Sequence, residues 1–311
     1  MAAWADRVPH ADETRVHALR LQGKLAGARA VAEQILAAGP LDPRSEVALR
    51  LELARVHDRI GLHENTRPVK EALQQIEAAA ALAARAPGTE ADIDYARAQY
   101  HYRAEMDGRQ FPLAMLHAQR ALDRYRAAKD RFGEADAVHL QGLIRFQRGE
   151  PELARTLFDR SLELDRAAGE RPLFRGDYER HVGFLDQQRG DLASAIRRFE
   201  ESLRLRRSAG DIDASLFAAN TLASALVAAG RLADSAAPLL EAMMLAEALG
   251  SKSGKARNGL VLGRTYERSG DHAAARVAYE TTLGLAASIG LSSVEAEART
   301  ALERLPGRAS P

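Results

Sequence analysis

Residues 190–211 read GDLASAIRRFEESLRLRRSAGD: a Gly-Asp pair, one amphipathic stretch, and a second Gly-Asp pair. Glycine takes up the left-handed backbone on which helices commonly stop, and an aspartate side chain caps the free amides on which the next helix starts. Each pair therefore reads as stop, then start. Between them Leu192, Ala195, Ile196, Phe199, Leu203 and Leu205 keep to one side of a helix. Arg197, Arg198, Glu200, Glu201 and Arg204 lie away from it.

The punctuation recurs. Gly108, Gly149, Gly190, Gly230 and Gly270 follow one another at steps of 41, 41, 40 and 40 residues. A second series, Gly169, Gly210, Gly250 and Gly290, steps by 41, 40 and 40. Two interleaved series with one period describe a repeated helix pair. Asp191, Asp211 and Asp271 suit the capping role, Ser251 follows Gly250, and Pro151 stands just inside its helix, where a missing N–H costs nothing. The last helix opens SSVE, in which Ser292 and Glu295 have capping-box spacing. No stretch alternates in hydrophobicity with β-branched or aromatic enrichment, and Phe, Trp and Tyr make up only 5% of the chain, so strands are not expected.

Toward the N-terminus the register loosens. RSEVALRLELARVHDRIG reads as a first helix ending at Gly61, and its partner starts late, near Pro68, after the insertion LHENTR. Residues 13–39 give a shorter opening pair. About seven pairs and a capping helix at 292–305 result, clearest over 130–290, with 306–311 as a disordered tail. Neither a Pro/Ser-rich linker nor a change of composition divides the chain, which favours one continuous solenoid over 1–305.

The 311 residues carry Lys+Arg 44 against Asp+Glu 43, a net charge of +1, so no global field draws the protein to nucleic acid or anionic lipid. The basic residues are nearly all Arg, which with abundant Ala, Gly and Leu reads as coding bias. There is no cysteine, hence no disulfide, thiolate metal site or thiol nucleophile. No apolar leader and no apolar run of membrane-spanning length occur, which makes a cytoplasmic protein the expectation. GSKSGKA at Gly250 mimics a phosphate loop, but its spacing is one short, Ala256 follows Lys255, and no strand precedes it. The nine histidines are scattered and form no HExxH pair, and no Gly-x-Ser-x-Gly elbow occurs. The expectation is a non-enzyme without cofactor or metal.

LGRTYERSGDHAAARVAYETTL sets Leu262, Gly263, Tyr266, Gly270, Ala275 and Tyr279 at the spacings of a tetratricopeptide (TPR) repeat, which it resembles. Gly142, Ala154 and Phe158, and again Gly183, Ala195 and Phe199, occupy the same positions. The unit holding Gly230 departs from the pattern with Ala223, Ser235 and Leu239, and YARAQYHYRAEMDG departs further. In length the units are similar to those of kinesin light chains and of bacterial sensor-type TPR arrays. The resemblance implies an all-α, right-handed superhelical solenoid whose first helices line a concave groove.

On that premise Asp136, His139, Gln147, Asp177, Arg180, Phe184, Gln187, Gln188, Asn220, Ser224, Arg257, Arg264, Glu267 and Arg268 are the groove candidates. Guanidinium and amide groups would hold an extended peptide by its backbone and acidic groups. The alternative is a solvated inner face of weak intramolecular ion pairs. Arg180 and Arg257 stand where the carboxylate clamp of some TPRs carries Lys. Phe184, Thr221 and Val261 replace its other polar residues, so chaperone-tail binding is disfavoured. Tyr95, Tyr100, His101 and Tyr102 are either a recognition surface or space-filling rings, and the insertion after Gly61 is either a contact loop or a tolerated one.

Two function classes follow: an adaptor docking a peptide segment or partner helix in its groove, and a bacterial signal-sensing regulator in which a small peptide or ligand changes the superhelix and acts through another protein. An enzyme or enzyme subunit is the third. With repeats starting near residue 10 there is no room for a DNA-binding helix-turn-helix, so direct DNA binding is not expected, and the balanced charge with no apolar span of membrane length gives no reason to expect membrane contact. Self-association through the outer or terminal faces is possible.

Overall fold

The structure, a computed structural model, describes residues 11–66, 68–106 and 110–306. These form fifteen α-helices and one short 3-10 turn, with no strand among the described residues. The first pairs are α1 (Ala11–Leu21) with α2 (Leu25–Ala37), α3 (Pro43–Glu64) with α4 (Lys70–Ala81), and α5 (Glu90–Ala104) with α6 (Pro112–Ala127). Next come α7 (Arg131–Gln147) with α8 (Pro151–Ala168) and α9 (Pro172–Gln188) with α10 (Leu192–Ser208). The last are α11 (Ile212–Ala228) with α12 (Leu232–Ala248) and α13 (Lys252–Ser269) with α14 (His272–Ser288), and α15 (Ser292–Arg304) covers the end. Gly108 and residues 307–311 of the expected tail lie outside the described residues.

The stop-and-start chemistry is visible at each end of the deciding stretch. Gly190 and Gly210 take φ of +82° and +69°, where a side chain would be strained. Asp191 and Asp211 then accept from the amides of Ser194 and Ala214, each at 2.9 Å, as Asp271 does from Ala274. Inside the pair, a Cβ on Gly183 would stand 2.6 Å from the ring of Phe199, and one on Gly263 would stand 2.4 Å from Tyr279. Both rings are buried, each contributing roughly 1.5–3 kcal/mol of apolar burial. The chain is thus a TPR-like helical solenoid, held by the small-residue and aromatic packing that its repeats encode.

Two local expectations are corrected. Helix α15 has no capping box: Leu291, 5% exposed, occupies the cap position, and Ser292 is already helical. Burying Leu291 against the last helices fixes the chain there instead, and Glu295 turns outward to Arg299 at 2.6 Å. Helix α3 does not stop at Gly61, which is buried within it, but continues to Glu64 and ends on Asn65 at φ +59°.

The extra turn of α3 has a purpose in the fold, because the superhelix curls until the second pair meets the sixth and seventh. His63 bonds Ser251 Oγ at 2.7 Å, Ser253 donates to the Leu62 carbonyl at 2.6 Å, and Asn65 donates to the Ile289 carbonyl at 3.0 Å. Beside them Asp213 holds Arg59 at 2.5 Å and His63 at 2.6 Å. Burial opposes ionisation of this aspartate, but Arg59 and the neighbouring His63 outweigh it and hold its carboxyl down at about 2. The inserted segment is therefore an intramolecular clasp that closes the array into a ring.

Candidate functional site: the central cavity

Closing the ring encloses a cavity of about 430 Å³. It is walled almost wholly by first helices, α3, α5, α7, α9, α11 and α13, since the second helix of each pair packs outside. Apolar surface from Leu140, Leu143, Phe184 and Phe217 alternates with charge.

Five guanidiniums reach this wall, and their partners divide them. Arg59 belongs to Asp213 of the clasp, Arg103 to Asp58 at 2.9 Å, and Arg206 to Asp177 at 2.5 Å. Burial works against charge on Asp177, yet the neighbouring Arg206 holds its carboxyl well below the usual range. Among the described residues, Arg180 and Arg257 have no carboxylate in ion-pairing contact. Burial and the repulsion of Arg206 push Arg180 down to about 10, and burial lowers Arg257 with only Glu297 opposing. The Arg180 guanidinium lies 5.4 Å from the centre of the Phe184 ring, and its Nε is buried without an acceptor.

Behind Arg180 runs a directed chain of hydrogen bonds. Ser161 Oγ donates to the Phe158 carbonyl at 2.7 Å, so it accepts from His139 Nδ1 at 3.3 Å. His139 Nε2 is then the acceptor for His181 Nδ1–H at 3.1 Å, and His181 Nε2 accepts from Arg180 Nη2 at 3.3 Å. Both rings are neutral Nδ1–H tautomers. Burial takes His139 down to about 3, and burial with the adjacent Arg180 takes His181 well below its ordinary value.

Of the residues expected in the groove, His139, Asp177, Arg180, Phe184, Asn220 and Arg257 are brought together in this wall. Asp136 is not: it is 2% exposed and bonded to Arg171 at 3.2 Å, which also binds Asp165 at 2.5 Å. That buried trio ties α7, α8 and the start of α9 together. Gln147, Gln187, Gln188 and Arg268 sit in the last turns of their helices, beyond the cavity. Ser224 is half-buried outside it, Arg264 pairs with Glu297, and Glu267 accepts from Tyr279 and Arg304, each at 2.8 Å. These side chains secure the C-terminal helices.

Sequence reasoning missed Arg59, Gln99, Arg103, Arg206 and Phe217. Arg206 comes from a second helix, and Arg59 enters only through ring closure. In the tyrosine-rich helix α5, Tyr95 and Tyr102 line the cavity, whereas Tyr100 packs against α4 and His101 stacks on His117 with centroids 5.6 Å apart. Among the described residues no helix is long and apolar enough to cross a membrane.

No protein-family model matches the chain, and neither does any curated protein. Solved structures do share its fold. A Rap protein complexed with competence and sporulation factor superposes with a TM-score of 0.58 at 12% identity, covering 94% of this chain and 96% of that one. NprR in complex with its cognate peptide NprX gives a TM-score of 0.60 at 14% identity, over 82% of this chain and 72% of that one. The Rap conjugation gene regulator of plasmid pLS20 with the Phr* peptide gives 0.59 at 13%, over 94% and 92%.

Proposed function

We propose that this TPR-like solenoid is a non-catalytic, cytoplasmic peptide-binding module in which the whole array acts as one unit around its central cavity. The carrying observation is the pair Arg180 and Arg257, two cavity guanidiniums without a carboxylate partner among the described residues. A desolvated, unpaired guanidinium is costly, and a ligand carboxylate relieves that cost with a bidentate bond. The ligand is therefore a short peptide presenting a C-terminal or side-chain carboxylate, its apolar side chains against Phe184 and Phe217. Two structures of similar fold hold peptides, which supports the same use of the ring here.

Between adaptor and sensor, the clasp favours the sensor. A ligand enclosed by a ring that α3 closes against α11 and α13 is coupled to that closure, so binding and ring geometry share one equilibrium. The test is selection of a random peptide library on wild-type protein beside an Arg180→Glu/Arg257→Glu variant. Wild-type protein is expected to enrich carboxylate-bearing peptides that bind the variant at least ~10-fold more weakly. Equal capture by both proteins sinks the reading.

A further inference from the structure

We propose that a second cavity, between α12, α13 and α14, binds a neutral, mostly apolar small molecule carrying one carbonyl or amide group. Its volume is about 630 Å³, inside the ~300–1,000 Å³ of small-molecule sites. The cavity exists because the facing residues are small. Ala246, Gly259, Ala274 and Ala278 line it and leave the space between the three helices open. A Cβ on Gly259 would come within 2.3 Å of Thr282 Oγ.

Two buried polar groups in this apolar wall have no hydrogen-bond partner among the described residues. Thr282 is 2% exposed, and its hydroxyl has no partner. Other helical threonines, Thr221, Thr265 and Thr281, donate to the carbonyl four residues back at 2.8 or 2.9 Å, so Thr282 has turned away from its own backbone. Asn258, also 2% exposed, accepts from Asn220 at 2.8 Å through Oδ1, which leaves its Nδ2 donor unpaired. Natural interiors rarely keep such groups without an acceptor. Both atoms are closed off in the packing described, Thr282 Oγ1 against Gly259, so a ligand carbonyl bonds them as the two side chains turn into the cavity.

The occupant is neutral because the only charges in the wall among the described residues, Lys255 and Glu247, bind each other at 2.7 Å. The cavity opens to solvent beside Met243 and Val277, 40% and 64% exposed, while Asn258 and Thr282 are each 2% exposed, a depth that a small molecule reaches and a flat partner surface does not. Asn258 is bonded to Asn220, which lines the central cavity, so an occupant here also steadies a residue of the peptide site.

The test uses octanamide as probe and methyl-labelled methionines as reporters, since Met243 lines this cavity and Met106 lines the central one. Titration is expected to shift the Met243 methyl signal saturably. Thr282→Val is expected to weaken binding roughly threefold to tenfold by removing one hydrogen bond, and Ala278→Phe to abolish saturation by filling the space. If Ala278→Phe fails to fold, Thr282→Val still decides. A shift that never saturates, or one that both variants leave unchanged, overturns the proposal. So does a Met243 signal that follows protein concentration and ignores octanamide, which assigns the cavity to a second copy of the chain.

Discussion

His181 donates its Nδ1–H to His139 Nε2 at 3.1 Å, and that bond joins the cationic wall of the cavity to the backbone of α8 through two neutral imidazoles. A proton on either ring would turn an acceptor into a donor and break the chain. The arrangement makes stability depend on pH. Unfolded imidazoles take up protons near pH 6.5, whereas His139 resists protonation until about 3 and His181 is also held well below its ordinary value. The contribution is complete above pH 6.5 and is lost as pH falls toward 4, by about 1.4 kcal/mol per pH unit for each ring. Urea unfolding at pH 7 and pH 5 is expected to show this loss, and His139→Gln is expected to reduce it. A midpoint that stays constant over the range contradicts the neutral pair.

Breaking the clasp should open the ring. Asp213→Asn removes the carboxylate that buried Arg59 and His63 share, and leaving such a charge uncompensated costs about 3–5 kcal/mol. Small-angle scattering is expected to show a larger radius of gyration for the variant with unchanged helical content. An unaltered scattering profile would mean that closure does not depend on this cluster.

The packing glycines and the turn glycines should respond differently to alanine. Gly183→Ala places a methyl group 2.6 Å from Phe199 in a filled interior, an overpacking cost of about 1–3 kcal/mol. Gly190→Ala meets no atom within 4 Å and suffers only the left-handed backbone, about 1–2 kcal/mol. Thermal denaturation should rank Gly183→Ala as the more damaging; the reverse order would remove the aromatic gap-filling argument.

Arg257 separates binding from folding. Replacing it with Met removes a desolvated cation without a partner and is expected to leave stability unchanged or raise it by roughly 1 kcal/mol, while peptide affinity falls. Calorimetric melting and peptide titration on the same preparation check both halves. A marked loss of stability would place Arg257 in the scaffold instead.

The helix pairs were legible because each is a local object: a glycine stop, an oxygen cap, and an apolar stripe with 3.6-residue spacing, all within about twenty residues. Asp191 and Phe199 illustrate this, each doing in the structure what its spacing says. The cavity was half legible. Arg180 and Arg257 could be placed by counting from their turn glycines, but the same counting put Asp136 in the groove, because nothing local distinguishes it from a free acid. Its partner Arg171 lies 35 residues on and at the start of another helix. The clasp was invisible, since Arg59 and Asp213 are joined by the curvature accumulated over three intervening pairs, and His63 and Ser251 by that over four. Leu291 shows the converse error: SSVE has the right spacing for a cap, yet apolar burial at the preceding residue won.

The contact of α3 with α11 and α13 also changes how this protein should come apart. In an open array every unit touches only its neighbours, so the termini melt first and the loss creeps inward. Here the second unit is anchored to the far side of the molecule, and unravelling from the N-terminal end is arrested there until the anchor itself yields. Hydrogen exchange should therefore find slow amides in α3 and α13 together, near opposite ends of the chain, behaving as a single cooperative block.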